Sequence, residues 1–278
     1  MFDEISGSKS TMNMKNWLLA VTLSVSAGLG ATASASDWKE LKIGIEPGYA
    51  PFEYKNAQGE IVGFDADVMT EICKKLQTKC VWVEQSFDSL IPALAARKIQ
   101  LIHSSMQITP QRKKVLAFSQ PIYGIPTQLM ARKDSGLLPT AEALKGKRVG
   151  ALQGSTQETY AKQKWGSKGV QIVSYQDQNQ TFADLTAGRL DAAIIEKPNG
   201  QSGFLSKPEG SNFAFLGDAI TDDEALTGEI AIGLRKSDDK LKQAVDSALA
   251  QLQQDGTVTK IAEKYFKPGE IDLKNVKQ

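Results

Sequence analysis

Residues 101–114, LIHSSMQITPQRKK, hold the only histidine of the chain, two serines directly after it, and an arginine a little further on. Histidine and serine together could form a hydrolase centre, in which the imidazole takes the hydroxyl proton and the serine attacks a carbonyl. Extended backbone opposes that chemistry here. If IQLIHSS is a strand, adjacent side chains point to opposite faces, so His103 cannot reach Ser104. His103 and Ser105 would share a face but stand too far apart along it to hydrogen-bond. There is no second histidine to act as base and no GxSxG turn to expose a nucleophile. His103 is therefore expected to be packed or exposed without a chemical duty. Arg112 offers different chemistry, because a guanidinium stays charged and matches a carboxylate in two-point geometry. It follows the turn TPQR just past the expected strand, at the rim where ligands bind. A plain surface arginine in the QRKK run is the alternative.

The elements that must position these residues alternate from Leu41 onward. LKIGIE and CVWVE read as strands, FDADVMTEICKKL as a helix between them, SFDSLIPALAARK as a second helix, and IQLIHSSM as a third strand. A second unit follows the same order: GKRVGAL, STQETYAKQKW, VQIVSY, NQTFADLTAGR and LDAAIIE, with Gly188 stopping the last helix. Such βαβ repeats imply largely parallel sheets covered on both faces, one in each of two lobes. TGEIAIGLRK reads as a further strand, and DDKLKQAVDSALAQLQQDG and TVTKIAEKYF as two closing helices. PIYGIPTQLMARK is expected to make the first crossing between the lobes and TGEIAIG the return. The expected boundaries are 37–124 with 230–278 for the first lobe and 125–229 for the second. A cleft would then lie at the carboxyl ends of both sheets.

The chain has 278 residues, 41% hydrophobic and 23% charged, with a formal net charge of +1. That balance gives no field to attract nucleic acid or an anionic membrane, and neither is expected as a partner. Residues 1–36 read as polar upstream residues followed by a signal peptide: a lysine, an apolar run too short to span a bilayer, and small residues suited to cleavage near Ser36. Export to an oxidising compartment follows from that reading. The two cysteines, Cys73 and Cys80, sit in EICKKLQTKCVWVE, at a helix end turning into a strand, and an even count in an exported chain favours a disulfide. CxxC spacing for redox chemistry is missing, and one distant histidine does not complete a zinc set, so neither a metal nor a cofactor is expected.

The segments IGIEPGYAPFEYKNAQGEIVGFDADVMTEICKKL, SFDSLIPALAARKIQLIHSSMQITPQRKKVLAFSQPIY, LKGKRVGALQGSTQETYAKQ and DLTAGRLDAAI, in this order, resemble the periplasmic polar amino-acid binding proteins that feed ABC importers, in particular the histidine and lysine/arginine/ornithine binders. The resemblance runs from about Trp38 to DGTVTKIAEKYF. It implies an α/β, two-lobed type II periplasmic binding protein, each lobe a mixed, mostly parallel sheet flanked by helices, joined by two hinge crossings. It also implies a monomer that captures one amino acid and delivers it to an inner-membrane permease, with no catalysis. The Cys73 to Cys80 spacing is similar to a disulfide of that subgroup. Periplasmic cyclohexadienyl dehydratases resemble the same binders, so an enzyme with Glu196 as general acid is the alternative.

Carried over by motif, Ser104, Ser105 and Arg112 would grip the α-carboxylate, with Thr156 helping from the second lobe and Leu152, Ser155 and Gln157 beside it. GST starts a helix whose free N–H groups favour an anion, although ordinary capping by Ser155 or Thr156 is compatible with that. Glu196 would meet the ammonium; the other reading is an exposed strand-end carboxylate. Tyr49 and Phe87 would sandwich the ligand side chain, or simply pack in the core. Glu46 and Asp65 would reach a side-chain cation, Asp65 alternatively capping the helix that follows GFDAD. Glu46 and Glu196 stand where relatives have aspartate, and Gln107 where close relatives have serine. Glu46, Asp65 and Glu196 against Arg112 leave two negative charges in surplus, which favours a cationic ligand of the arginine, lysine, ornithine or histidine type, or a derivative such as an opine.

Overall fold

Two five-stranded sheets of the same topology organise the molecule, which is a computed structural model describing residues 37–221 and 224–273. The leader expected over residues 1–36 lies outside the described residues. The first sheet runs Lys79–Glu84, Glu40–Ile45, Leu101–Ile102, Gly233–Leu234, Ala117–Phe118. The second runs Gln171–Tyr175, Arg148–Leu152, Ala192–Glu196, Thr127–Arg132, Phe213–Ile220. In each, the first three strands are parallel and the fourth is antiparallel to both its neighbours. That fourth strand belongs to the segment that has just crossed from the other sheet.

The crossings are themselves paired. Tyr123–Gly124 lies antiparallel to Glu229–Ile230 in a separate two-stranded ribbon. The single strand expected over TGEIAIGLRK is therefore two short strands, Glu229–Ile230 in the crossing and Gly233–Leu234 in the first sheet. A continuous strand could not serve both pairings, and Ile230, Ala231 and Ile232 are fully buried where it turns.

The second sheet shows why its sequence carries apolar runs and not alternation. Leu129, Ala131, Ala192 and Ile194 enter a cluster with Trp165 on one face. Met130, Ala193 and Ile195 enter another with Phe182 and Phe204 on the opposite face. Successive residues of a strand point to opposite faces, so a sheet covered on both sides needs apolar residues at every position. Around the first sheet, Asp239–Gln254 buries Leu241, Val245, Leu249 and Leu252, a helical stripe that joins the core beside helix Phe64–Lys75. Among the described residues no helix is long and apolar enough to cross a membrane.

Three local expectations change. The strand through IQLIHSSM stops at Ile102, and Ser105 takes the left-handed conformation with φ 44°. His103 is fully buried just before the bend at Ser104 and Ser105, its Nε2 3.5 Å from the Asp65 carboxylate, so of the two expectations it is packed. Phe213–Ile220 forms an edge strand whose Gly217, at φ 69°, breaks the register and with it the alternation that would have announced it. A three-stranded sheet of Gly48–Tyr49, Glu53–Lys55 and Ile61–Val62 lies between the first strand and helix Phe64–Lys75. Gly188, at φ 69°, follows the helix Gln178–Thr186 as its stop.

Cys73, near the end of helix Phe64–Lys75, is bonded to Cys80 in the next strand, with Cα atoms 5.9 Å apart. The bond closes a short loop at the corner where the helix turns back along the sheet. Replacing both cysteines by alanine is expected to cost about 2 kcal/mol, lowering the melting temperature by roughly 4–8 °C. A double variant melting within a degree of the parent would contradict the loop-closure account.

Candidate ligand-binding site

Four strands of the two sheets end at one place. Glu46 follows the strand Glu40–Ile45, Ser104 and Ser105 follow Leu101–Ile102, Ser155 comes shortly after Arg148–Leu152, and Glu196 is the last residue of Ala192–Glu196. Their side chains, with Tyr49, Phe87, Gln107, Arg112, Leu152, Thr156 and Gln157, line one narrow cavity whose walls lie close together. Every residue named from the sequence for ligand contact lines this cavity except Asp65, and Glu53 joins them.

Asp65 is fully buried one layer behind the wall, where its carboxylate accepts the Ser105 backbone N–H at 2.9 Å and the Tyr123 hydroxyl at 2.9 Å. It does not cap its helix either, which begins after Gly63 without a side-chain cap. Glu53 was missed because it sits in a three-residue strand. Register was the available signal: Tyr49 and Glu53 are directly paired across the antiparallel ladder, so they share a face, and the face carrying Tyr49 carries Glu53 as well.

Arg112 is held by a one-turn helix, Pro110–Lys113, in which Thr109 accepts the Arg112 backbone N–H at 3.1 Å and proline occupies the first turn. Its guanidinium donates to the Gln107 carbonyl at 2.9 Å and, across the cleft, to the Gly154 carbonyl at 3.2 Å. It lies 5.3 Å from the Phe87 ring centre. These partners are neutral, and among the described residues no carboxylate pairs with it. Burial pushes its pKa down to about 10, with the charge of Glu196 acting the other way. A buried cation with neutral partners has most of its Coulomb attraction left for an anion.

The opposite wall supplies helix Thr156–Lys164, capped by Ser155, whose hydroxyl accepts the Glu158 N–H at 3.0 Å. Its first residues face the cavity, so capping and an anion-binding helix end coexist. Glu196 is buried, not an exposed strand end. It accepts from Gln107 Nε2 at 2.8 Å, Ser105 Oγ at 3.3 Å and Gln157 Nε2 at 3.3 Å, and from the Tyr49 hydroxyl. Burial still raises its pKa to about 7, because four donors offset only part of the desolvation of the charge.

Glu46 and Glu53 meet at Ser104. The Glu46 N–H donates to Ser104 Oγ at 3.0 Å, and that hydroxyl donates to Glu53 Oε1 at 3.0 Å. Glu46 Oε2 and Glu53 Oε2 are both buried without a hydrogen-bond partner. Burial, then the charge of Asp177, raises the Glu46 pKa to about 8. Burial, then the charges of Asp65 and Glu46, holds the Glu53 carboxyl well above its ordinary range. The cavity thus has one cationic wall and two acidic ones, a geometry suited to a molecule carrying one anionic and two cationic groups.

This chain belongs to the bacterial extracellular solute-binding proteins, family 3, whose family model matches residues 41–268. It is 44% identical over 253 residues to a histidine-binding periplasmic protein of Escherichia coli K12, covering 91% of this chain and 97% of that protein. It is 46% identical, with the same coverage, to the lysine/arginine/ornithine-binding periplasmic protein of the same strain. Among solved structures, a Salmonella typhimurium periplasmic binding protein described for high arginine specificity superposes with a TM-score of 0.77 at 31% identity, over 82% of this chain and 100% of that one. The fold is the two-lobed type II arrangement of such proteins.

Glu46 and Glu196 titrate far above the ordinary 4.5, so the folded chain binds protons that the unfolded chain has released at the same pH. Stability from these groups is full below about pH 4.5, is lost progressively as pH rises above it, and is gone once pH passes 7 for Glu196 and 8 for Glu46. Thermal unfolding without ligand is expected to show a falling melting temperature from pH 5 to pH 8, with a shallower fall in Glu196→Gln. A flat or rising profile would mean that these carboxyls are not held protonated.

Proposed function

We propose that the protein is a periplasmic receptor, acting as a monomer, that binds one basic amino acid by hinge closure and delivers it to the permease of an ABC importer. One observation carries this reading: a buried guanidinium with only neutral partners faces, across one cavity, three buried carboxyls of which two have an unpartnered oxygen. The α-carboxylate of the ligand meets Arg112 and the first turn of helix Thr156–Lys164, the α-ammonium meets Glu196, and the side-chain cation meets Glu46 and Glu53. With Glu53 in place of Asp65, three carboxyls can ionise against one guanidinium once a ligand cation draws off their protons, so a cationic side chain remains the preference. The names of the relatives, binders of histidine, of lysine, arginine and ornithine, and of arginine, support the same class. Their periplasmic location supports the leader reading of residues 1–36.

The lobes are residues 37–124 with 230–278, and 125–229, and the hinge is the ribbon of Tyr123–Gly124 and Glu229–Ile230. Hydrogen bonds join the lobes at the cavity, Gln107 with Glu196, and beside it, Arg112 with Gly154 and Gln153 with Asp88. A ligand that bridges Arg112 and Glu196 favours the arrangement in which both are near, and so shifts the population toward closure.

One observation favours a second reading, an enzyme of cyclohexadienyl dehydratase type. A buried carboxyl at about pKa 7, as Glu196 has, suits a general acid. Incubation with prephenate or arogenate separates the two, since the receptor reading expects no aromatic product.

Calorimetric titration with arginine is expected to show micromolar or tighter binding, and Arg112→Ala is expected to weaken it at least about 100-fold by leaving a buried carboxylate unpaired. Undiminished binding in that variant would overturn the assignment. A cation arriving at Glu46 draws its pKa down, so binding below pH 8 releases protons and affinity should rise from pH 6 to pH 8. Titration in buffers of different ionisation enthalpy measures that release, and an affinity that falls over this interval would contradict it.

A further inference from the structure

Ser105 is the only described non-glycine residue that is both buried and left-handed, with φ 44°; the other two, Gln77 and Arg97, are exposed and follow helix ends. A serine in this region is strained, and such a conformation persists only where its surroundings impose it. The Ser105 N–H donates to Asp65 Oδ2 at 2.9 Å, and its Oγ lies 3.0 Å from the Tyr123 hydroxyl and 3.3 Å from Glu196 Oε2. The Tyr123 hydroxyl in turn donates to Asp65 Oδ1 at 2.9 Å. Tyr123 belongs to the crossing ribbon, and Asp65 to the first turn of helix Phe64–Lys75. Both oxygens of one buried carboxylate are therefore spent on the serine and on the hinge, with the His103 ring behind them at 3.5 Å.

We infer that Asp65 is a positioning residue: by accepting the Ser105 N–H and the Tyr123 hydroxyl it fixes Ser105 in the left-handed conformation, aims its hydroxyl at Glu196, and registers the binding loop on the hinge strand. It acts on the ligand through Ser105 and carries no contact with the ligand's own cation. The inference rests on the proposed amino-acid site only for its binding readout.

The test is a set of variants titrated with arginine. Asp65→Ala removes the acceptor and is expected to weaken binding about tenfold or more, the scale of the strain left unsupported. Asp65→Asn removes the charge and one of the two acceptors: its carbonyl can keep the Ser105 N–H while its N–H2 turns to the Tyr123 hydroxyl oxygen, so it should weaken binding by about threefold, clearly less than Asp65→Ala. In a Ser105→Gly background, where glycine takes the left-handed backbone without penalty, Asp65→Ala should cost less than about threefold. Asn as damaging as Ala would make Asp65 a charge partner of the ligand and overturn the inference. So would an equal cost of Asp65→Ala in both backgrounds. The same cycle read in thermal unfolding needs no ligand: the melting temperature should drop less for Asp65→Ala in the Ser105→Gly protein than in the parent, and an equal drop overturns the inference. A parent protein that bound no amino acid would refute the proposed function while this cycle still decided the role of Asp65.

Discussion

A charge withdrawn from water must find a counter-charge, a set of donors or a proton, and that requirement governs the centre of this molecule. Its charged groups meet it in different ways. Glu196 gathers four donors and is still raised to about pKa 7. The Glu46 carboxylate accepts the Gly48 N–H and Glu53 the Ser104 hydroxyl, and each keeps an unpartnered oxygen, so protons hold them. Arg112 rests on two carbonyls and a ring face. A zwitterion with a cationic side chain satisfies all of them at once, and few other small molecules do.

The fold brings these groups together by a single topological device used twice. In open α/β sheets the carboxyl ends of adjacent parallel strands, where the connections diverge, leave a crevice. Here two such crevices face each other, and each antiparallel strand inserted into a sheet arrives by way of the ribbon that joins them. The ribbon also carries Tyr123, whose hydroxyl reaches Asp65 and the binding loop, so the hinge and the site share a hydrogen-bond network.

Much of this was legible in the sequence, for reasons visible in particular residues. The parallel strands read clearly because burial on both faces demands runs such as DAAIIE, and the helices because Leu241, Val245, Ala248 and Leu252 keep a helical period. Arg112 and the GST turn announced themselves through chemistry and through resemblance. Elements whose pattern is interrupted were lost: Phe213–Ile220 by Gly217, and the short sheet around Pro51 by its length. With that sheet went Glu53, whose place depends on a cross-strand register and not on any local motif. Asp65 carried a motif position, yet a strained serine on a neighbouring loop claims its oxygens, and no spacing in the sequence encodes such a partner.

The account stands on charge at the side-chain end of the cavity, and citrulline probes that end alone, because it keeps the shape of arginine while replacing the guanidinium with a neutral urea. Calorimetry at pH 8 should find arginine bound at least about 100-fold more tightly than citrulline, the scale set by leaving buried charged groups unmatched. Equal affinities, or tighter binding of citrulline, would contradict it.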